Sequence, residues 1–99
     1  MTLIVLEQAE TEFSKSAADY ESKELGLGTR FRDELAAVVD WILEHPEIPR
    51  LRSRGYRRVN LRVFPHYVAY VIRGDTLWIV AIAHAHRRPE FWIRRIIKL

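Results

Sequence analysis

The stretch RRVNLRVFPHYVAYVIRGDTLWIVAIAHA, residues 57–85, decides the fold class. Val59, Leu61 and Val63 point one way and Arg58, Asn60 and Arg62 the other, a period of two that marks a half-buried strand. Pro65-His66 marks a turn, Tyr67 to Ile72 forms the next strand, Gly74-Asp75 the following turn, and Leu77 to about Ala85 the last strand. Three strands joined in sequence by short turns predict an antiparallel meander.

Upstream the period changes. Residues 2–6 are a short, β-branched apolar run, which predicts a strand. From Gln8, Ala9, Phe13, Ala17 and Tyr20 recur at three- and four-residue spacing, which predicts an amphipathic helix to about Leu25. Gly26-Leu27-Gly28 breaks it, and Thr29 stands where an N-cap belongs. Phe31, Leu35, Val38 and Ile42 trace a second stripe that ends at Glu44-His45, ahead of Pro46. Two helices with so short a link pack as an antiparallel hairpin. Residues 46–55, with two prolines, one glycine and three arginines, read as an irregular connector. Pro89 suits the first turn of a closing helix that offers Trp92, Ile93, Ile96 and Ile97 for burial. The expected architecture is α+β in one domain over residues 1–99. It has an N-terminal strand, a hairpin of helices 8–25 and 29–45, a three-stranded antiparallel meander and a short C-terminal helix.

Ninety-nine residues with 48% apolar side chains suffice for one modest core. No run approaches the ~18 apolar residues of a membrane span, and the first residues lack the basic and apolar regions of a signal peptide. The chain has no cysteine, which removes disulfides, thiol nucleophiles and thiolate metal sites. A cytoplasmic location with no membrane partner is expected. Residues 1–49 carry four basic against eleven acidic side chains, a balance of −7, and residues 50–99 carry twelve against two, a balance of +10. Eleven of those twelve are arginines, whose planar fork suits phosphates and carboxylates. Such asymmetry points to one face that meets polyanions or an acidic protein, although a solvated basic sheet edge has the same composition.

Few residues point to catalysis. His84 and His86 share one face of a strand, but two nitrogens fall short of a metal site, so no metal and no cofactor are expected. No serine has the nucleophile context and no glycine-rich phosphate loop follows a strand. Most acidic side chains fall at solvent-facing helical positions, which suits solubility. Metal-free RNA cleavage needs a base, an acid and cations that stabilise the phosphorane. Arg58, Arg62, Arg87, Arg88, His84, His86 and the tyrosines are the groups that can supply them. Trp41, Trp78 and Trp92 are explained by packing.

Several local patterns, in order, resemble the RelE/ParE toxin superfamily. They are Tyr20-Glu21, the run Leu27-Gly28-Thr29-Arg30-Phe31-Arg32-Asp33-Glu34-Leu35, Glu44-His45-Pro46, Phe64-Pro65-His66-Tyr67-Val68-Ala69-Tyr70, and Ala83-His84-Ala85-His86-Arg87-Arg88-Pro89-Glu90-Phe91-Trp92. The resemblance implies a twisted sheet carrying the helical hairpin, and a growth-inhibiting toxin neutralised by a cognate antitoxin. Two mechanisms live on this fold. RelE-like members cut mRNA on the ribosome, and ParE-like members poison DNA gyrase. The nuclease pattern implies Arg58, Arg62 and Arg87 as catalytic candidates. Arg58 and Arg87 match that pattern, but Tyr67 stands at the central arginine position, Asn60 at the second basic position, and Phe91-Trp92-Ile93 where a tyrosine is expected. These departures favour the ParE-like branch over the mRNA endoribonuclease. Target or antitoxin contacts are expected at Arg58, Arg62, Tyr67, His84, His86, Arg87 and Arg88. A non-toxic basic module that binds nucleic acid is the reading from another class.

Overall fold

Strand order explains the rest of the architecture. The structure, a computed structural model, describes residues 1–99 as β1 (Thr2–Val5), α1 (Glu7–Lys23), α2 (Leu27–Glu44), β2 (Arg57–Asn60), β3 (His66–Arg73), β4 (Thr76–His84), a 3-10 turn (Pro89–Phe91) and α3 (Arg94–Ile97). The sheet runs β1-β4-β3-β2, with β2, β3 and β4 antiparallel as the sequence predicts. β1 lies parallel to β4, Thr2 opposite Thr76 and Val5 opposite Ile79. A parallel pair needs a long crossover connection, and everything from α1 to β3 serves as that connection.

Both faces of the sheet are covered. The helical hairpin lies on one face, where Phe31, Leu35 and Ile42 of α2 pack against Val68, Tyr70, Leu77, Ile79 and Ile82. The segment after β4 closes the other, burying Trp92, Ile93 and Ile96 on Tyr67, Ala69, Val71, Val80, Ala81 and Ala83. Burial of one such aliphatic side chain stabilises by about 1.5–3 kcal/mol. Two buried isoleucines and a larger tryptophan are comparable with the ~5–15 kcal/mol that holds a whole domain, so Trp92, Ile93 and Ile96 are core, while Arg94 between them is exposed.

β4 departs from strict alternation. Ala69 opposes Ala81 while Tyr70 opposes Ile79, so Val80 is an extra residue, a β-bulge. Val80 and Ala81 therefore both enter the second core, and Ile82 falls on the same face as Leu77 and Ile79. β1 stops pairing at Ile79, whose carbonyl accepts from Leu6 N–H at 3.0 Å. Beyond it β4 has no strand on that flank, and two side chains take the place of one. The Ile82 N–H donates to Glu12 Oε1 at 3.1 Å, and Arg95 Nη1 donates to the Val80 carbonyl at 2.9 Å. Glu12 and Arg95 also pair with each other through two bonds of 3.1 and 2.9 Å, 16–20% exposed. One ion pair thus joins α1, the bulge and α3.

The link between the helices differs from expectation. α2 begins at Leu27, so Thr29 lies inside the helix and is not its cap. Gly26 holds the N-cap place with φ 88°, and the Glu21 carboxylate of α1 accepts from the Gly26 and Gly28 N–H groups at 2.9 and 3.0 Å. Gly28 is where the two helix backbones meet: a Cβ there would lie 2.6 Å from the Ala17 carbonyl oxygen. The predicted closing helix is likewise divided into the 3-10 turn and the four-residue α3. The connector is irregular, as expected, but tied down. The Tyr70 hydroxyl donates to the Pro46 carbonyl at 2.6 Å, and Arg57 Nη1 donates to the Glu47 and Pro49 carbonyls at 3.2 and 2.7 Å. Burial pushes the Tyr70 pKa up to about 12, against the opposing effect of Arg57.

Two stability outcomes follow from these contacts. Gly28→Ala forces the helices apart against backbone, and urea denaturation is expected to register a loss of about 2 kcal/mol, the overpacking range. Glu12→Ala leaves the Ile82 N–H without a partner and the Arg95 guanidinium without its counter-charge, held only by the Val80 carbonyl. A loss of about 2–3 kcal/mol is expected, with Arg95→Ala costing little more once Glu12 is gone, as a double-mutant cycle measures.

Candidate functional site

The candidate residues divide between the two faces of the sheet. On the C-terminal face Arg58 of β2 stands over Tyr67 of β3, its guanidinium 3.8 Å from the ring centre. Asn60, at the second basic position, accepts from Arg58 Nε and Nη2 through Oδ1 at 3.2 and 2.8 Å. Tyr67 is fully buried. Its hydroxyl donates to the Arg87 carbonyl at 2.8 Å and accepts from Trp92 Nε1 at 2.7 Å. Burial raises its pKa, with Trp92 and Arg58 pulling the other way. At this position the chain has a phenol enclosed by Trp92 and capped by Arg58.

On the hairpin face a groove of 540 Å3 runs between α1 and the free flank of β4. Lys15, Lys23 and Arg87 supply its positive groups, Glu12 and Asp19 its carboxylates, Tyr20, Phe91 and His84 its rings, with His66 at its floor. His84 belongs to this groove because the bulge at Val80 carries it to the hairpin face. Its ring stacks on His86 at 4.8 Å, and its Nδ1 accepts from the His86 backbone N–H at 3.3 Å. His86 itself lies past the strand end in a turn, so the two imidazoles meet by stacking and not by strand alternation. The Arg87 side chain also borders this groove, stacked 4.3 Å from the Phe91 ring. No group of three or more metal-ligating side chains is assembled anywhere in the chain.

Two predicted residues stand apart. Arg62 lies beyond the end of β2, in the turn before β3, where the Glu34 carboxylate accepts from the backbone N–H groups of Arg62 and Val63. Arg88 is exposed ahead of the 3-10 turn and holds no partner. Arg58 and Tyr67 are therefore assembled, with Arg87 joined to them only through its carbonyl; His84, His86 and the Arg87 side chain gather at the groove, and Arg62 and Arg88 join neither cluster. Sequence reasoning missed three glutamates. Glu12, Glu21 and Glu34, assigned to solvation as helix-surface acids, each hold backbone N–H groups of another segment. Only the placement of Glu21 and Glu34 within the superfamily-like runs set them apart.

His66 is the titrating element of the groove. It is 6% exposed, packed on Phe31 at 5.0 Å and His84 at 5.4 Å, and its Nδ1 faces the Tyr20 hydroxyl at 3.3 Å. Burial first, and His84 second, lower its pKa to about 4. The folded state therefore disfavours the proton that the unfolded chain takes up below pH 6.5. Stability is fully present above that value and falls as pH drops towards 4. Denaturation at pH 7.5 and pH 5 is expected to differ by about 2 kcal/mol, and His66→Gln is expected to remove most of that difference.

Residues 3–89 match the family model described as the ParE toxin of the type II toxin–antitoxin system parDE. A search of curated proteins finds no match. Among solved structures, a chain of the chromosomal ParDE system from P. aeruginosa superposes with TM-score 0.64 at 16% identity, over 85% of this chain and 95% of that one. A chain of the intact E. coli RelBE toxin–antitoxin complex gives 0.67 at 22% identity, over 87% and 98%. The isolated E. coli RelE toxin gives 0.66 at 20% identity, over 98% and 95%. These likenesses establish the fold, which the two branches share. The sequence match spans most of the chain, and on it the chain belongs to the ParE toxin family of type II toxin–antitoxin systems.

Proposed function

We propose that the chain is a cytoplasmic toxin that inhibits DNA gyrase without nuclease chemistry and is held in check by a cognate antitoxin. The observation that carries the reading is Tyr67. RNA cleavage needs a cation free to meet the scissile phosphate as charge develops, and losing one such group costs about 2.7–4 kcal/mol of barrier. Here the corresponding side chain is a buried phenol engaged by Arg87 and Trp92. Trp92, Ile93 and Ile96 fill the space above the strands, which speaks against a nucleotide seat beside Tyr67. Arginine does not serve as a proton acceptor, and Arg58 is already stacked and hydrogen-bonded. The match to the ParE family model points the same way.

An antitoxin suited to this surface carries carboxylates for Arg58, Arg87 and Arg88 on an acidic or amphipathic segment. The RelE-like alternative has one place to act, the groove, where His84, Arg87 and two lysines meet.

The purified chain is expected to inhibit supercoiling by gyrase and to leave ribosome-bound mRNA intact. Arg87→Ala is the informative variant, because Tyr67 bonds the Arg87 carbonyl and not its side chain, so the fold is retained. Ribosome-dependent mRNA cuts that vanish in Arg87→Ala would replace the gyrase reading with the nuclease. Normal growth on expression of folded chain, with neither activity, would leave a plain binding module.

A further inference from the structure

Residues 48–74 hold seven arginines and no acidic side chain. Three of them, Arg50, Arg52 and Arg54, lie on the connector that leads into β2. None of these three makes a side-chain hydrogen bond or ion pair. The arginines that donate through their side chains are Arg57, Arg58 and Arg95, and the single ion-paired arginine is Arg95.

This charge is displayed by a defined turn. The Arg52 N–H donates to the Tyr56 carbonyl at 2.8 Å, and the Gly55 N–H donates to the Arg52 carbonyl at 2.9 Å. Tyr56 anchors one end, buried edge-on against Trp92 at 4.8 Å, and Arg57 holds the other through the Glu47 and Pro49 carbonyls. At the tip, Arg54 has φ 73° and is the one non-glycine residue in the left-handed region. That conformation favours glycine, yet the position holds a cation. A disfavoured backbone kept by its surroundings is a common mark of functional positions.

What the turn has and lacks defines the ligand. Forked guanidinium groups suit phosphate oxygens. Unpaired nucleic-acid strands are gripped by exposed aromatic rings on which bases stack. The only ring between residues 48 and 62 is that of Tyr56, and it is buried. The exposed rings of Trp41 and Phe91 belong to α2 and to the 3-10 turn. We infer that the arginine turn at residues 50–54 is a contact for the phosphate backbone of duplex DNA, read without base specificity. The inference goes beyond gyrase inhibition and is tested without gyrase.

The test is anisotropy of a labelled 20-base-pair DNA of mixed sequence (about two helical turns) with the full chain, titrated at several salt concentrations. Affinity is expected to fall steeply with salt. The triple variant Arg50→Gln/Arg52→Gln/Arg54→Gly is expected to bind at least tenfold more weakly and to lower the slope of log K against log salt by about 2–3, at ~0.9 per phosphate contact. Arg54→Gly alone relieves the backbone, so weaker binding by that folded variant cannot come from unfolding. Arg30→Gln/Arg94→Gln, which removes exposed charge on the helices, serves as the control and is expected to change affinity less than threefold. Equal losses in triple variant and control would overturn the inference in favour of undirected charge. So would preference for single-stranded RNA or for an RNA duplex of the same length, or absence of DNA binding at low salt. A separate supercoiling assay reports on the gyrase reading, so either can fail alone.

Discussion

The Glu12–Arg95 pair at the β4 bulge is the constraint on which the other contacts depend. Where β1 ends beside the bulge, that flank of β4 has backbone groups without ladder partners, and buried groups of that kind destabilise unless another donor or acceptor reaches them. Here a carboxylate from the first helix takes the N–H and a guanidinium from the last takes the carbonyl. Each charge also neutralises the other. The Val80 bulge, the seating of α1 beside β4 and the placement of α3 over the opposite face are therefore one arrangement. Loosening any member leaves the other two with unsatisfied polar groups.

That arrangement also divides the site. Because the bulge shifts the alternation of β4, His84 joins His66 and Tyr20 beside α1, whereas Tyr67 and Arg58 lie beneath the C-terminal segment. Arg87 lies between the two, its carbonyl serving one cluster and its guanidinium the other. The toxin fold therefore presents two chemically different surfaces. One is a covered apolar face rimmed by arginine, and the other is an open polar groove with a low-pKa histidine.

The order of elements was legible because its signals are periodic. Val59 and Val68 or Phe31 and Leu35 announce their faces by spacing alone. The bulge was not legible, since Val80, Ala81 and Ile82 are all small or apolar and fit either register. The glutamate bonds were hidden for another reason. A carboxylate that reaches a distant N–H obeys no period, so Glu12, Glu21 and Glu34 looked like solvated surface. A local rule puts the cap of α2 at Thr29, whereas the chain caps α2 with Glu21 from the neighbouring helix. At the site, the resemblance drew attention to Tyr67, Arg58 and Arg87. Its residue types did not reveal that the phenol is enclosed, nor that Arg62 belongs to a turn held by Glu34.

The parallel pairing of β1 with β4 has a consequence for how the molecule comes into being. Thr2 meets Thr76 across the sheet, and Glu12 meets Arg95 over a separation of 83 residues. Contacts so distant along the chain close late, after nearer pairings have removed part of the entropy of the loop. On a ribosome the strand made first must wait for the strand made last. A nascent chain lacking Arg95 has its bulge uncapped and its second core unfilled, so the finished surface exists only once synthesis has passed that residue.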